Sequence, residues 1–237
     1  MNLTRRAIAE AIGTALLLAV VIGSGIMGER LANGNAAIAL LANTLATGAG
    51  LVALILTFGP ISGAHFNPAV TLADAAQGGT PWKEVPAYIM AQIAGAVCGT
   101  AVANVMFSLP LFFASRHARA GSAQLFSEFI ATFGLLAVIL SCARRRSVMA
   151  PFAVGAYITA AYWFTSSTSF ANPAVTLGRS LSDTFAGIRP VDVPGFVVAQ
   201  LVGAAVATIL FWWLMPLRLK DAPEALVPHH EESADDE

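Results

Sequence analysis

Asn67-Pro68-Ala69-Val70-Thr71-Leu72 and Asn172-Pro173-Ala174-Val175-Thr176-Leu177 are the same six residues used twice. Asparagine ahead of proline is a strong start for a helix. The side-chain oxygen caps the first free N–H groups, and proline at the first helical position gives up only an N–H that would be orphaned anyway. The amide also carries two N–H donors, so it can cap its own helix and still point a donor into a cavity. Two short helices that begin this way inside a membrane, with their tips together, bring two positive dipole ends and two amides to one point. Such a point passes an uncharged hydrogen-bonding solute and repels a cation or a proton. The rest of the chain must hold the tips face to face.

The composition supplies the setting. Hydrophobic residues make up 57% of the chain and charged residues 11%, with a formal net charge of -1. That is the profile of a polytopic membrane protein, since the apolar runs are too many and too long for a soluble core. A near-neutral balance with no basic stripe excludes a nucleic-acid partner. Cys98 and Cys142 lie far apart in apolar runs and read as small hydrophobes. Arg5-Arg6 precede an apolar stretch, but Glu10 interrupts it and it runs on to Met27 without a small-residue cleavage site, so the reading is a retained first span. No nucleophile–base pair, metal-ligand spacing or phosphate loop appears, which predicts no enzyme, no cofactor and no metal.

Six runs are long enough to cross about 30 Å of hydrocarbon: Arg6–Met27, Ala36–Phe58, Val85–Phe107, Ser122–Cys142, Val148–Phe164 and Val193–Pro216. His65–Gln77 and Ala171–Leu181 are too short to cross and read as re-entrant half-helices. The halves repeat. Glu10-Ala11-Ile12-Gly13-Thr14 answers Glu128-Phe129-Ile130-Ala131-Thr132, and Ala91-Gln92 answers Ala199-Gln200. Three crossings per half is an odd number, so a tandem copy enters from the opposite face and the repeat is inverted. The expected units are 1–117, an inverted 118–220, and an acidic tail at 221–237 that reads as solvated and disordered. His229-His230 in that tail read as nonspecific. Glycines 13, 48, 95, 99, 134, 155 and 203 read as close helix–helix contacts. Arg5, Arg6, Lys83, the Arg144-Arg145-Arg146 cluster, Arg218 and Lys220 fall on one side, which predicts both termini in the cytoplasm.

Ser62-Gly63-Ala64-His65-Phe66-Asn67-Pro68-Ala69, the second Asn172-Pro173-Ala174 and the paired glutamates together resemble the aquaporin (major intrinsic protein) family, over nearly the whole chain. The resemblance implies an all-α membrane protein of six tilted helices and two half-helices, with one pore per subunit and subunits assembled as homotetramers. Backbone carbonyls of Gly59–Phe66 and Thr165–Ala171 would form acceptor ladders along the pore. The residues alone leave Glu10 and Glu128 open as proton relay or scaffold. The resemblance favours the scaffold, each carboxylate accepting N–H bonds from a re-entrant loop, and His65 reads as a loop brace or a gate. The family's constriction maps, by counting from the motifs, to Thr47, Ala160, Ser169 and Val175. Val175 stands where most members carry arginine, so the expected filter is wide and free of arginine, unless Phe66, Phe164 or Phe170 refills it. Proton exclusion would then rest on the helix ends alone.

The function expected is a passive channel for small uncharged solutes: water, glycerol, urea, and neutral metalloid hydroxides such as arsenous acid. It would sit in the inner (plasma) membrane, with lipid and solute as its partners. The alternatives are a coupled secondary transporter, which shares inverted repeats and broken helices, and a structural membrane protein with a closed pore.

Overall fold

A computed structural model describes residues 1–145 and 148–215. Among these residues all regular structure is helical: α1 (Leu3–Leu31), α2 (Ala36–Ser62), α3 (Pro68–Ala76), α4 (Val85–Met106), α5 (Ser122–Arg144), α6 (Ala150–Phe164), α7 (Pro173–Arg179) and α8 (Val193–Leu214), with one 3₁₀ turn at Pro190–Asp192. Backbone N–H and C=O groups cannot be left bare in hydrocarbon, and helices satisfy them internally.

Among the described residues, five helices are long and apolar enough to cross a membrane by themselves, α1, α2, α4, α5 and α8. The expected fifth span is shorter than the sequence suggests. Helix α6 starts at Ala150, not Val148, and its 15 residues rise about 22 Å. The expectations for Arg146, Arg218, Lys220, Pro216, the acidic tail and His229-His230 fall outside the described residues.

Helix α1 packs on α2 and α4, and α5 packs on α6 and α8, while α2 against α6 joins the two sets. Small residues allow this closeness. A side chain at Gly95 would strike the backbone of Ala11 in α1, and one at Gly203 would strike the backbone of Phe129 in α5. The outward faces carry large apolar side chains such as Leu45, Met90, Phe126 and Trp213, as a lipid solvent requires.

Helices α3 and α7 lie between these sets. Each touches α4 and α8, and they touch each other. Helix α3 follows the end of α2 and α7 follows the end of α6. Their N-termini meet inside, where each capping asparagine bonds the loop ahead of the other half-helix.

Candidate functional site

Each half-helix begins at its asparagine in an extended conformation, with φ -152° at Asn67 and -160° at Asn172. Asn67 Oδ1 accepts from Ala69 N at 2.9 Å. Asn172 Oδ1 accepts from Ala174 N at 2.9 Å and Val175 N at 3.2 Å. Pro68 and Pro173 occupy the first helical position, and Ala69 and Ala174 are fully buried where the tips pack. The two amides then reach across. Asn67 Nδ2 donates to Ala171 O and Asn172 Nδ2 donates to Phe66 O, both at 2.8 Å. One N–H of each amide is spent on this reciprocal latch, and one remains. Both asparagines line a cavity of about 60 Å³ of water-accessible space that lies between the halves. A buried water needs about 10–15 Å³, so several waters fit.

The loops ahead of the tips are held by the two glutamates. Glu10, fully buried, accepts Ser62 Oγ (2.7 Å) and His65 N (2.9 Å) on Oε1, and Phe66 N (2.7 Å) and Gln92 Nε2 (2.8 Å) on Oε2. Glu128, also fully buried, accepts Phe170 N (2.8 Å), Ala171 N (2.9 Å) and Gln200 Nε2 (2.6 Å). A trans peptide sets its C=O opposite its N–H. Turning the N–H groups of residues 65 and 66 toward Glu10 therefore turns the carbonyls of Ala64 and His65 away from it, and both residues line the cavity. The carbonyls of Ser169 and Phe170 are turned in the same way by Glu128. This alternation requires left-handed backbone at non-glycine residues: φ is 50° at both Ala64 and Phe66, and 50° and 48° at Ser169 and Ala171. Each such residue costs about 1–3 kcal/mol, and the buried carboxylates hold it in place. The first ladder is shorter than expected. Helix α2 continues through Pro60 to Ser62 and ends on Gly63, so residues 59–62 are helical and only 63–66 are free to present carbonyls.

Gln92 and Gln200 were legible only as repeat markers, and their role comes from the fold. Each donates from Nε2 to its glutamate and also, at 2.9 Å, to the motif threonine, Thr71 or Thr176. Those threonines donate in turn to the carbonyl of Asn67 (3.2 Å) or Asn172 (2.8 Å). His65 braces its loop: Nδ1 lies 3.1 Å from Thr71 Oγ1 and Nε2 lies 3.7 Å from Asp74 Oδ2. It also lines both the central cavity and a smaller one of about 20 Å³ at the α3 end, beside Asp74, Gln77 and Arg144.

Thr47, Ser169 and Val175 line the central cavity, and Ala160 does not. Ala160 is exposed on the outer face of α6. Ile158 and Tyr162, two residues to either side, turn inward instead, as a helix repeat of 3.6 residues allows. Tyr162 OH sits 3.4 Å from Thr47 Oγ1. Its ring supplies bulk that the expected alanine lacks. Phe66 and Phe170 also border the cavity, whereas Phe164 is 55% exposed and faces outward.

Arg179, to which neither motif assigns a role, is 1% exposed and lines the cavity at the end of α7. It also borders a second cavity of about 290 Å³ at that end, with Asn43, His117, Arg119 and Phe185. Its guanidinium lies 3.3 Å from the Phe170 ring centroid, and Nε donates to Ala186 O. Arg119 stands at 5.0 Å from the same ring and donates to the carbonyls of Gly187 (2.8 Å) and Ser167 (3.0 Å), fastening the mouth loops. Burial and, after it, the charge of Arg179 lower the Arg119 pKa to about 9. Burial, Arg119 and Arg179 hold His117 below the ordinary histidine value, against a smaller opposing pull from Asp183. The signal that could have found Arg179 is its spacing: four residues beyond Val175, it shares that residue's helix face.

Residues 1–171 match the family model described as major intrinsic protein. The chain is 54% identical over 227 residues to aquaglyceroporin AqpS of Rhizobium meliloti (strain 1021), covering 94% of this chain and 97% of that protein. It is 31% identical over 226 residues to aquaporin NIP1-3 of Oryza sativa subsp. japonica, covering 92% and 78%. Among solved structures, the aquaglyceroporin from Plasmodium falciparum superposes with a TM-score of 0.70 at 24% identity, covering 89% of this chain and 96% of that one.

Proposed function

We propose a permeation path for a chain that belongs to the major intrinsic protein family and is, with that family, a multi-pass transmembrane channel for small neutral solutes and not an enzyme. Water and glycerol pass through it, in keeping with the relative named an aquaglyceroporin. The path runs from the mouth cavity at the α7 end, past Arg179, Ser169, Val175, Thr47 and Tyr162, between Asn67 and Asn172, and on to the α3 end. The observation that carries this reading is the pair of crossed amides, each with one N–H left over beside a cavity with room for several waters.

The chemistry follows from polarity. A solute oxygen accepts from the free amide N–H groups and faces two positive helix ends. Water held so points its hydrogens toward both mouths, where the carbonyls of residues 64–65 and 169–170 accept them. A proton wire needs the opposite polarity on one side of the centre, so protons are turned back. The glutamates act as scaffold. Both are fully buried, and their oxygens are occupied by loop N–H groups.

Urea and neutral metalloid hydroxides such as arsenous acid belong to the same class of solute, and a filter of Thr47, Tyr162, Ser169 and Val175 suits them. It carries hydroxyls but no guanidinium at position 175. In this reading the halves 1–117 and 118–220 are inverted copies, the α7 end faces outward, both termini lie in the cytoplasm of the inner (plasma) membrane, and four copies assemble. Arg5, Arg6, Lys83, Arg144 and Arg145 support that orientation.

Reconstitution tests the whole. Liposomes carrying the protein should shrink and reswell faster than empty ones under water, glycerol, urea and arsenous acid gradients, with flux linear in the gradient and indifferent to sodium or pH gradients. Flux that needs a driving ion would mark a transporter, and no flux of any solute would mark a closed structural protein.

A further inference from the structure

Arg179 is an unusual residue to bury at the end of a re-entrant helix. None of the ion pairs among the described residues includes it, and a carboxylate-free cation in a low-dielectric site is costly to keep. Two contacts ease that cost, the Ala186 carbonyl on Nε and the Phe170 ring against the guanidinium face. They leave Nη1 buried with no hydrogen-bond partner. Ser169 Oγ, on a residue 2% exposed and lining the same cavity, is likewise buried without a partner. Two unsatisfied polar groups on one cavity wall are a place where a passing solute completes the bonding. Arg179 is, moreover, the wall shared by the central cavity and the mouth cavity, so everything that travels between them passes it.

The geometry points to Arg179 as the specificity-determining residue of this channel, a guanidinium seated about 6 Å farther along α7 than Val175. With Ser169 it binds the hydroxyl oxygens of neutral polyol-type solutes, and by its charge it turns back protons and metal cations. This inference rests on the channel reading above. It changes what that reading expects, because charge exclusion no longer depends on the helix ends alone. The stretch between the asparagine pair and the guanidinium becomes a longer chamber, walled by Val175 and Tyr162, than an arginine at position 175 would leave. The opposing account makes Arg179 a pin for the 180–189 loop through Ala186, with no effect on what permeates.

The test is the ratio of proton to glycerol permeability in proteoliposomes, read with a trapped pH dye and by light scattering. Arg179→Gln keeps a side-chain donor for Ala186 O and removes the charge. It should raise the ratio about tenfold, whereas Arg179→Lys, which restores the charge, should stay within about twofold of the wild type. An unchanged ratio in Arg179→Gln, or a Lys variant as leaky as the Gln variant, overturns the assignment. Should the Gln variant fail to assemble, the wild-type protein carries the test. Replacing external gluconate with nitrate should slow glycerol uptake about twofold by placing a small anion on the neck cation, and identical uptake in both salts overturns the assignment. Wild-type protein that passes neither water nor glycerol removes the channel reading and this proposal together, while glycerol flux with an unaltered ratio removes only this one.

Discussion

The two halves agree at the centre and part company toward the mouths. At the tips the bonds match closely: 2.8 Å for both crossed amides and 2.9 Å for both glutamine–threonine bonds. Two residues before each asparagine stand His65 and Phe170, and seven residues after stand Asp74 and Arg179. In the first half, His65 and Asp74 approach to 3.7 Å; in the second, Phe170 and Arg179 approach to 3.3 Å between ring centroid and guanidinium. A histidine–carboxylate contact at one end thus answers a ring–cation contact at the other. The centre is symmetric because the polarity flip needs two equal donors and two equal dipoles. The ends carry no such requirement, and their side chains differ.

The largest expected effect tests the symmetric part. Glu10→Gln and Glu128→Gln each set an amide N–H against loop N–H groups, which should cost about 3–5 kcal/mol and abolish glycerol flux. Glu10 accepts one more bond than Glu128, so its variant should melt lower in detergent. Equal melting would mean that the extra Ser62 bond contributes nothing. Next comes the asymmetric filter. Val175→Arg adds a second guanidinium on the face of Arg179 and should lower glycerol flux about tenfold and water flux about twofold. Equal losses for both solutes would show that position 175 does not discriminate by size.

Asp74→Asn sharpens the contrast of the ends. Asp74 Oδ2 accepts Thr80 N and Thr80 Oγ1, both at 2.7 Å, so losing the charge should cost about 1 kcal/mol of thermal stability. Proton exclusion should stay at the wild-type level, unlike in Arg179→Gln, and a leak would place charge selection at both ends. The smallest effect belongs to His117. Its folded pKa lies below its unfolded value of about 6.5, so the unfolded chain takes up the proton first as pH falls. Stability is therefore full above that value and declines as pH drops toward the folded pKa. Because His117 is exposed at the mouth the decline should be slight, and His117→Gln should flatten it in melting curves from pH 7.5 to 5.

Much of this site can be read in the letters. A repeated cap-and-proline phrase at the head of two apolar stretches too short to cross announces two re-entrant helices, because asparagine caps and proline opens a helix. The paired glutamates are legible as a pair, but the residues alone left them open as relay or scaffold, and the loop N–H bonds they accept come from the fold. Ala160 shows where counting stops working. On a helix, one residue of slippage turns a side chain by about 100°, and the motif anchors α7 but not α6. Tyr162 therefore took the wall that Ala160 was expected to form. Gln92 and Gln200 had a signal in their repetition, but a glutamine in a span says nothing of which carboxylate it meets.

The sequence by itself determined the membrane solvent and the residues at the half-helix tips, because those follow from periodicity, length and capping chemistry along a single segment. Only the tertiary structure decided that the amides cross to the opposite loops, that Tyr162 lines the central cavity, and that Arg179 is buried in the same wall as Val175. The first two depend on contacts between segments 104 to 115 residues apart, and the third on the rotation of a helix about its axis. Neither is written in local pattern, since van der Waals packing among small residues, not hydropathy, sets how the helices turn toward one another.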